Sequence, residues 1–232
     1  MSTDVASIVP PNDTGSDTFA RFCYQAHVAF PYCLNCALGG DVDAVVAEHI
    51  EDLAIDRGSN WQFIQIKTRN QDLGPWKLSD ITGSSGALGS ALRSHRAAGN
   101  APVTIHIFLE GPGKSGDDIS ALSNRTASPP ASVLEKIQRS LVIDATECSE
   151  LISRLTVEPG LPSRDGIVDR NLRHLMNQAP KLTAETLQAI YDSVISRLFA
   201  AMALDRLEPS WFSIILDPNK ASNSDRQKYE AK

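Results

Sequence analysis

The run Trp61-Gln62-Phe63-Ile64-Gln65-Ile66-Lys67-Thr68 constrains this chain more than any other stretch, because it is the clearest strand. Side chains of an extended strand alternate between its two faces. Ile64 and Ile66 therefore share one face, while Phe63, Gln65, Lys67 and Arg69 share the other. Arg57-Gly58-Ser59-Asn60 precedes it as a turn, and Leu53-Ala54-Ile55 and Val45-Val46-Ala47 are short strand candidates before that. Val103 to Leu109 reads as a further buried strand.

Helical spacing brackets these strands. A helix is expected from near Asp17, with Phe19, Phe22, Cys23, Ala26 and Phe30 as its apolar stripe. Ser16 or Asp17 can cap it, and Pro31 ends or kinks it. Residues 84–98 form a second expected helix bearing Leu88, Ala91, Leu92 and His95. Gly111 to Pro130 is rich in Gly, Ser, Asp and Pro and reads as a long loop. Beyond it the pattern turns mostly helical. Val133, Ile137 and Leu141 share one face, and Val168, Leu172, Leu175 and Met176 share another. The longest helix carries Leu187, Ile190, Tyr191, Val194, Leu198 and Met202, with Thr183 as a cap. Leu151 to Val157 fits either a helix end or a strand, and Ser210 to Leu216 either a last strand or a packed extension. The fold class is α/β, a central mixed sheet flanked by helices, with a helical C-terminal portion. Residues 1–16 are expected to be a flexible leader, 17–130 the core, 131–216 its helical extension and 217–232 a disordered tail or linker.

No apolar run reaches the roughly 18 residues that cross a bilayer. Met1 to Ser16 lacks the basic and apolar regions of a signal peptide, so a cytoplasmic location is expected. Of the four cysteines, Cys33 and Cys36 form a CxxC. No second CxxC or HxxxH follows to complete a zinc site, so Cys23, Cys33, Cys36 and Cys148 read as reduced thiols buried in the core. His27, His49, His95, His106 and His174 show no metal-ligand spacing, and His106 reads as a core or edge histidine. The formal net charge of −6 argues against a strong, autonomous nucleic-acid binder, which usually carries a basic balance.

Chemistry concentrates in Glu48-His49-Ile50-Glu51-Asp52 and, one hairpin later, Gln65-Ile66-Lys67. Hydrolysis of a phosphodiester calls for a divalent metal, hard oxygen ligands to hold it and a cation to offset developing charge. Asp52 offers a carboxylate, Gln65 an amide oxygen and Ile66 a backbone carbonyl. Lys67 lies on the strand face of Gln65. Glu48, four residues before Asp52, shares its face in either a strand or a helix, whereas Glu51 joins them only in a helix.

This layout resembles the PD-(D/E)xK, or restriction-endonuclease-like, superfamily, in which an acidic residue opens a hairpin and the tripeptide sits on its second strand. With Gln65 in the tripeptide's first position the chain is similar to the Mrr-like branch. Its wider context is similar to the double-stranded-DNA endonuclease domain of bacterial anti-phage effectors, both the CD-NTase-associated (CBASS) endonucleases and nucleases paired with HerA-type ATPases. Tyr24-Gln25 on the first helix, Glu48 and Asp52, Ile64 to Arg69, and Leu182-Thr183 with Tyr191 on a late helix carry that likeness. The resemblance implies magnesium- or manganese-dependent cleavage of DNA, with Asp52, Gln65, Lys67 and Glu48 catalytic, and Asp52, Gln65, Ile66 and Glu48 around the metal. It also implies a fused or separate sensor or ATPase module, HerA-type or nucleotide-sensing, a homo-oligomer and no membrane association. Gln25 would face the active centre. Two other readings stay open: a nuclease fold kept only for assembly with such a partner, and an RNase on the same fold. Replacing the tripeptide's carboxylate by an amide removes one negative charge from the metal site, so affinity would rest more on Asp52 and Glu48.

Arg69, Lys77, Arg93 and Arg96 are candidates for a phosphate track, since phosphate contacts need only suitably spaced cations. A solvated helix face accounts for them as well. Thr82-Gly83-Ser84-Ser85-Gly86 lacks the GKS/T ending of a nucleotide-binding loop and reads as a turn and helix cap.

Overall fold

The computed structural model describes residues 14–47, 51–123 and 128–202. The expectations for Glu48, for His49 and for a strand at 210–216 lie outside the described residues.

Five strands form one sheet in sequence order: β1 (Ala44–Ala47), β2 (Leu53–Asp56), β3 (Trp61–Lys67), β4 (Val103–Glu110) and β5 (Leu155–Leu161). β1 and β2 pair antiparallel, as do β2 and β3, while β4 and β5 continue parallel to β3. Gly58 allows the tight β2–β3 connection, because its φ of +74° lies where a side chain would be strained. Parallel neighbours need long crossovers. α2 (Leu78–Ile81) and α3 (Ala87–Ala98) supply the one between β3 and β4, and α4 (Ala131–Leu141) and α5 (Ala145–Arg154) the one between β4 and β5. α1 (Thr14–Ala37), α6 (Arg164–Gln178) and α7 (Ala184–Met202) complete the described elements.

The strand alternation sorts the core into two layers. Val46, Ala54, Phe63, Ile105, Ile107 and Val157 pack with α2 to α5. Val45, Leu53, Ile55, Ile64, Ile66 and Phe108 pack with α1, α6 and α7. The sheet is thus covered on both faces, as parallel strands require.

Five expectations need correction. β5 comes from beyond residue 130 and pairs with β4, so the portion after 130 is not a helical extension laid on a finished sheet. Its apolar residues Leu155 and Val157 compete for helix and strand by pattern alone, and pairing with β4 decides. α1 runs through Pro31 and buries Tyr24, Ala26, Ala29, Phe30 and Cys33, while Phe19 and Phe22 are exposed. The buried stripe lies about one turn later than expected, because the part of α1 from Tyr24 onward packs against the sheet and its helices. The polar stretch after β3 holds α2 and a 3-10 turn, Gln71–Leu73. In the loop after β4, a 3-10 turn at Asp118–Leu122 buries Ile119 and Leu122, and Asp117 Oδ1 accepts from the N–H groups of Leu78 (2.8 Å) and Ile119. All four cysteines are free thiols; Cys33 and Cys148 are buried, whereas Cys23 and Cys36 are half-buried.

Candidate active site

Asp52 stands one residue before β2. Continuing the Leu53–Ile64 register by one step sets it opposite Gln65 on β3. Its Oδ2 accepts from the Ile66 N–H at 2.6 Å, which ties the carboxylate to the tripeptide strand. The side chain of Gln25 on α1 also acts on this carboxylate, favouring its ionised form. Burial pushes the Asp52 pKa above the usual carboxylate value, while the Ile66 N–H, the Lys67 charge and the Gln25 amide partly oppose that shift.

Glu51 is held from the opposite helical layer. Ser90 Oγ on α3 donates to its two carboxylate oxygens, each at 3.1 Å, and Ser94 Oγ donates to Oε1 at 2.5 Å. Burial raises the Glu51 pKa, and Asp52 adds to the rise; the two serine hydroxyls and Lys67 oppose it. Ser90 and Ser94 of α3 thus hold Glu51, and the β3 backbone holds Asp52. Sequence reasoning admitted Glu51 only for a helical segment. Residues 51 and 52 form bends instead, so neither regular period applies to them.

Gln65 and Lys67 project to the face of Phe63, the α3 layer. Gln65 is 7% exposed and Gln25 is 9% exposed, and the Oε1 of each lacks a hydrogen-bond partner. An unsatisfied buried acceptor costs roughly 1–3 kcal/mol, so two of them beside buried carboxylates mark a centre with unused oxygen donors.

The expected phosphate track is largely occupied. The Arg69 guanidinium is bound by the Asp80 carboxylate at 2.8 Å and by the carbonyls of Leu73, Gly74 and Pro75, and it lies 4.3 Å from the Trp76 ring centre. Arg69 thus organises its own loop. Arg96 pairs with both oxygens of Glu147 on α5, at 2.6 and 3.0 Å. Arg93 is exposed and donates to the Ser84 carbonyl, and Lys77 is exposed at the start of α2. The loop before α3 serves packing: Gly83 N–H donates to Ser140 Oγ, and a Cβ at Gly89 would meet the Ser84 carbonyl at 2.2 Å.

Sequence reasoning missed Arg164. Its guanidinium reaches Thr68 Oγ1 (3.3 Å), one residue past Lys67, although the two lie far apart along the chain. A cleft of about 610 Å³ opens at the carboxyl ends of β3, β4 and β5, lined by Arg69, Asn70, Glu110, Gly111 and Ser163 among others. His106 is buried in β4 and its Nδ1 lies 2.6 Å from Glu158, the satisfied core histidine expected of it.

Residues 13–95 match the family model described as Cap4, dsDNA endonuclease domain. The chain resembles a Cap4 nuclease domain. The matched stretch spans α1 to α3 and so includes Gln25, Glu51, Asp52, Gln65, Lys67, Ser90 and Ser94. Among solved structures, the chain is similar to the Cap4 SAVED/CARF-domain containing receptor of Acinetobacter baumannii. The TM-score is 0.53 at 7% identity, over 78% of this chain and 42% of that one. The same receptor with the cyclic trinucleotide 2'3'3'-cAAA gives a TM-score of 0.52 at 7% identity, over 78% and 40%. At such identity the likeness concerns the fold alone. This chain spans about 40% of the receptors' length. No match was found among curated proteins. No helix of the described residues is long and apolar enough to cross a membrane.

Proposed function

We propose that this Cap4-like chain is a metal-dependent endonuclease that cuts double-stranded DNA in anti-phage defence. The observation that carries the reading is the buried Asp52 carboxylate, tied to the tripeptide strand and placed opposite Gln65, whose amide oxygen has no partner. Among the described residues no three His, Cys, Asp or Glu side chains converge. The donor set instead mixes carboxylate, amide and carbonyl oxygens, which suits a hard cation such as Mg2+ or Mn2+. Asp52, Gln65 and the Ile66 carbonyl would hold the ion, and Glu48 would assist. The ion would polarise the phosphoryl oxygen and make water more acidic.

The chain's own residues account for the rest. Lys67 projects from the strand of Gln65 to orient the attacking water and to offset charge on the phosphoryl oxygens as it develops. Gln25 and the Ile66 N–H fix the Asp52 carboxylate, so little reorganisation is needed when substrate arrives. Exposed Arg93 and Lys77 are the cations best placed to meet flanking phosphates. The solved relatives are SAVED/CARF-domain receptors, one holding a cyclic trinucleotide. By analogy, this domain works with a nucleotide-sensing module, and a homo-oligomer is part of the same proposal.

Plasmid cleavage by the purified chain with Mg2+ or Mn2+, beside Asp52→Ala and Lys67→Ala, tests the proposal. Cutting that both substitutions abolish supports it. Cutting that survives Lys67→Ala removes the assignment.

A further inference from the structure

The site as read so far has a charge deficit, because the tripeptide offers an amide where a carboxylate would strengthen cation binding. Glu51 lies on the α3 side of the sheet, the side to which Gln65 and Lys67 project, and it is electrostatically coupled to both Asp52 and Lys67. Its side chain is buried, with no Lys or Arg within ion-pairing distance among the described residues. A buried carboxylate without a cation is expensive to keep. Ser90 and Ser94, one helical turn apart on α3, supply three contacts to it. An ionised carboxylate has about four acceptor sites, so those contacts leave capacity. The unpartnered Oε1 of Gln65, more than nine-tenths buried, lies on the same face.

We propose that Glu51 is the second carboxylate of the divalent-cation site, supplying the negative charge that Gln65 does not, with Ser90 and Ser94 of α3 holding it in place. This rests on the metal-dependent reading above and deepens it. It links cation binding to the seating of α3, because the hydroxyls that fix Glu51 belong to that helix. A purely structural Glu51 would act as a hydrogen-bonding tether for α3. Glutamine has nearly the same shape and would serve that role without the charge.

The test is Mn2+ binding by the full chain, followed by calorimetry and by the rise in melting temperature on adding the ion. The variants are Asp52→Asn, Glu51→Gln, Glu51→Gln with Gln65→Glu, and Ser90→Ala with Ser94→Ala. Glu51→Gln is expected to weaken Mn2+ binding by roughly 10–100-fold. Its metal-free melting temperature should stay level or rise, because a buried charge is gone. Adding Gln65→Glu returns a carboxylate to the site and should restore most of the affinity. The double alanine variant, which keeps good helix formers on α3, should lose part of the affinity; it decides the matter if Glu51→Gln does not fold. Wild-type affinity in Glu51→Gln or in the double alanine variant, with binding lost in Asp52→Asn, would overturn the role of Glu51 and leave the proposed function standing. Failure of Gln65→Glu to rescue would overturn the charge argument. No binding by the wild type would overturn both.

Discussion

Two polar clusters among the described residues are built on opposite principles. The first joins Gln25, Glu51, Asp52, Gln65 and Lys67 between α1, the β2–β3 hairpin and α3. It contains two carboxylates whose ionisation burial opposes, and two amide oxygens without partners. The second joins His27 on α1, Asn171 on α6 and Tyr191 on α7. There Tyr191 Oη lies 2.6 Å from His27 Nδ1, the rings stack in parallel, and Asn171 Nδ2 donates to the His27 carbonyl at 2.7 Å. It is neutral, and only Asn171 Oδ1 lacks a partner. One cluster keeps unfavourable energy in the fold, and the other fastens three helices together. On the proposed reading, the first cluster is a cation site and the second a structural network.

Substitutions should therefore move activity and stability in opposite ways in the two clusters. The largest expected effect is in the first: Asp52→Asn or Lys67→Ala should lower plasmid cleavage by about 10²–10³-fold or more in turnover assays. Asp52→Asn should also raise the metal-free melting temperature at neutral pH. The sign follows from burial: the folded-state pKa of Asp52 is raised, so its contribution to stability is greatest at low pH and is lost as pH rises through that pKa. A lower melting temperature would place Asp52 with the structural network instead.

Tyr191→Phe should do the reverse. It strips His27 and Asn171 of a partner and should cost about 1–3 kcal/mol in urea unfolding, with cleavage per folded molecule unchanged. A loss of cleavage at full stability would erase the distinction between the clusters.

A smaller effect should appear with pH. Burial lowers the His27 pKa, so the unfolded chain takes up a proton before the folded one. The contribution of His27 is then fully present above the ordinary histidine pKa and declines as pH falls from there toward the lowered value. Melting curves across that window, wild type beside His27→Gln, should show the decline in the wild type only. Equal slopes would mean that another group titrates.

The smallest effects concern the surface cations. Lys77→Ala or Arg93→Ala should reduce the salt dependence of DNA binding by about one phosphate contact. Arg96→Ala should leave it unchanged, because Glu147 already neutralises that guanidinium. A drop on losing Arg96 would show that the pair opens for DNA.

How far the sequence reached can be seen residue by residue. β3 was legible because its isoleucines and its Gln-Lys pair alternate cleanly, and that alternation also placed Gln65 and Lys67 on one face. α3, α4 and α7 were legible from helical spacing. β5 was not, since Leu151 to Val157 carries no distinguishing period and becomes a strand only by pairing with β4. Arg69 and Arg96 looked like free cations because a sequence does not show that Asp80, three carbonyls and Glu147 fold back onto them.

The sequence by itself determined the strand order of the hairpin, the α/β class and the placing of Gln65 and Lys67 on one strand face a hairpin away from Asp52, because local periodicity and short spacing govern all three. Only the tertiary structure decided that Glu51 is buried against Ser90 and Ser94, that Gln25 reaches Asp52, and that Arg164 arrives beside Thr68. Those contacts join residues from separate layers, brought together by covering both faces of one sheet, and no local pattern encodes them.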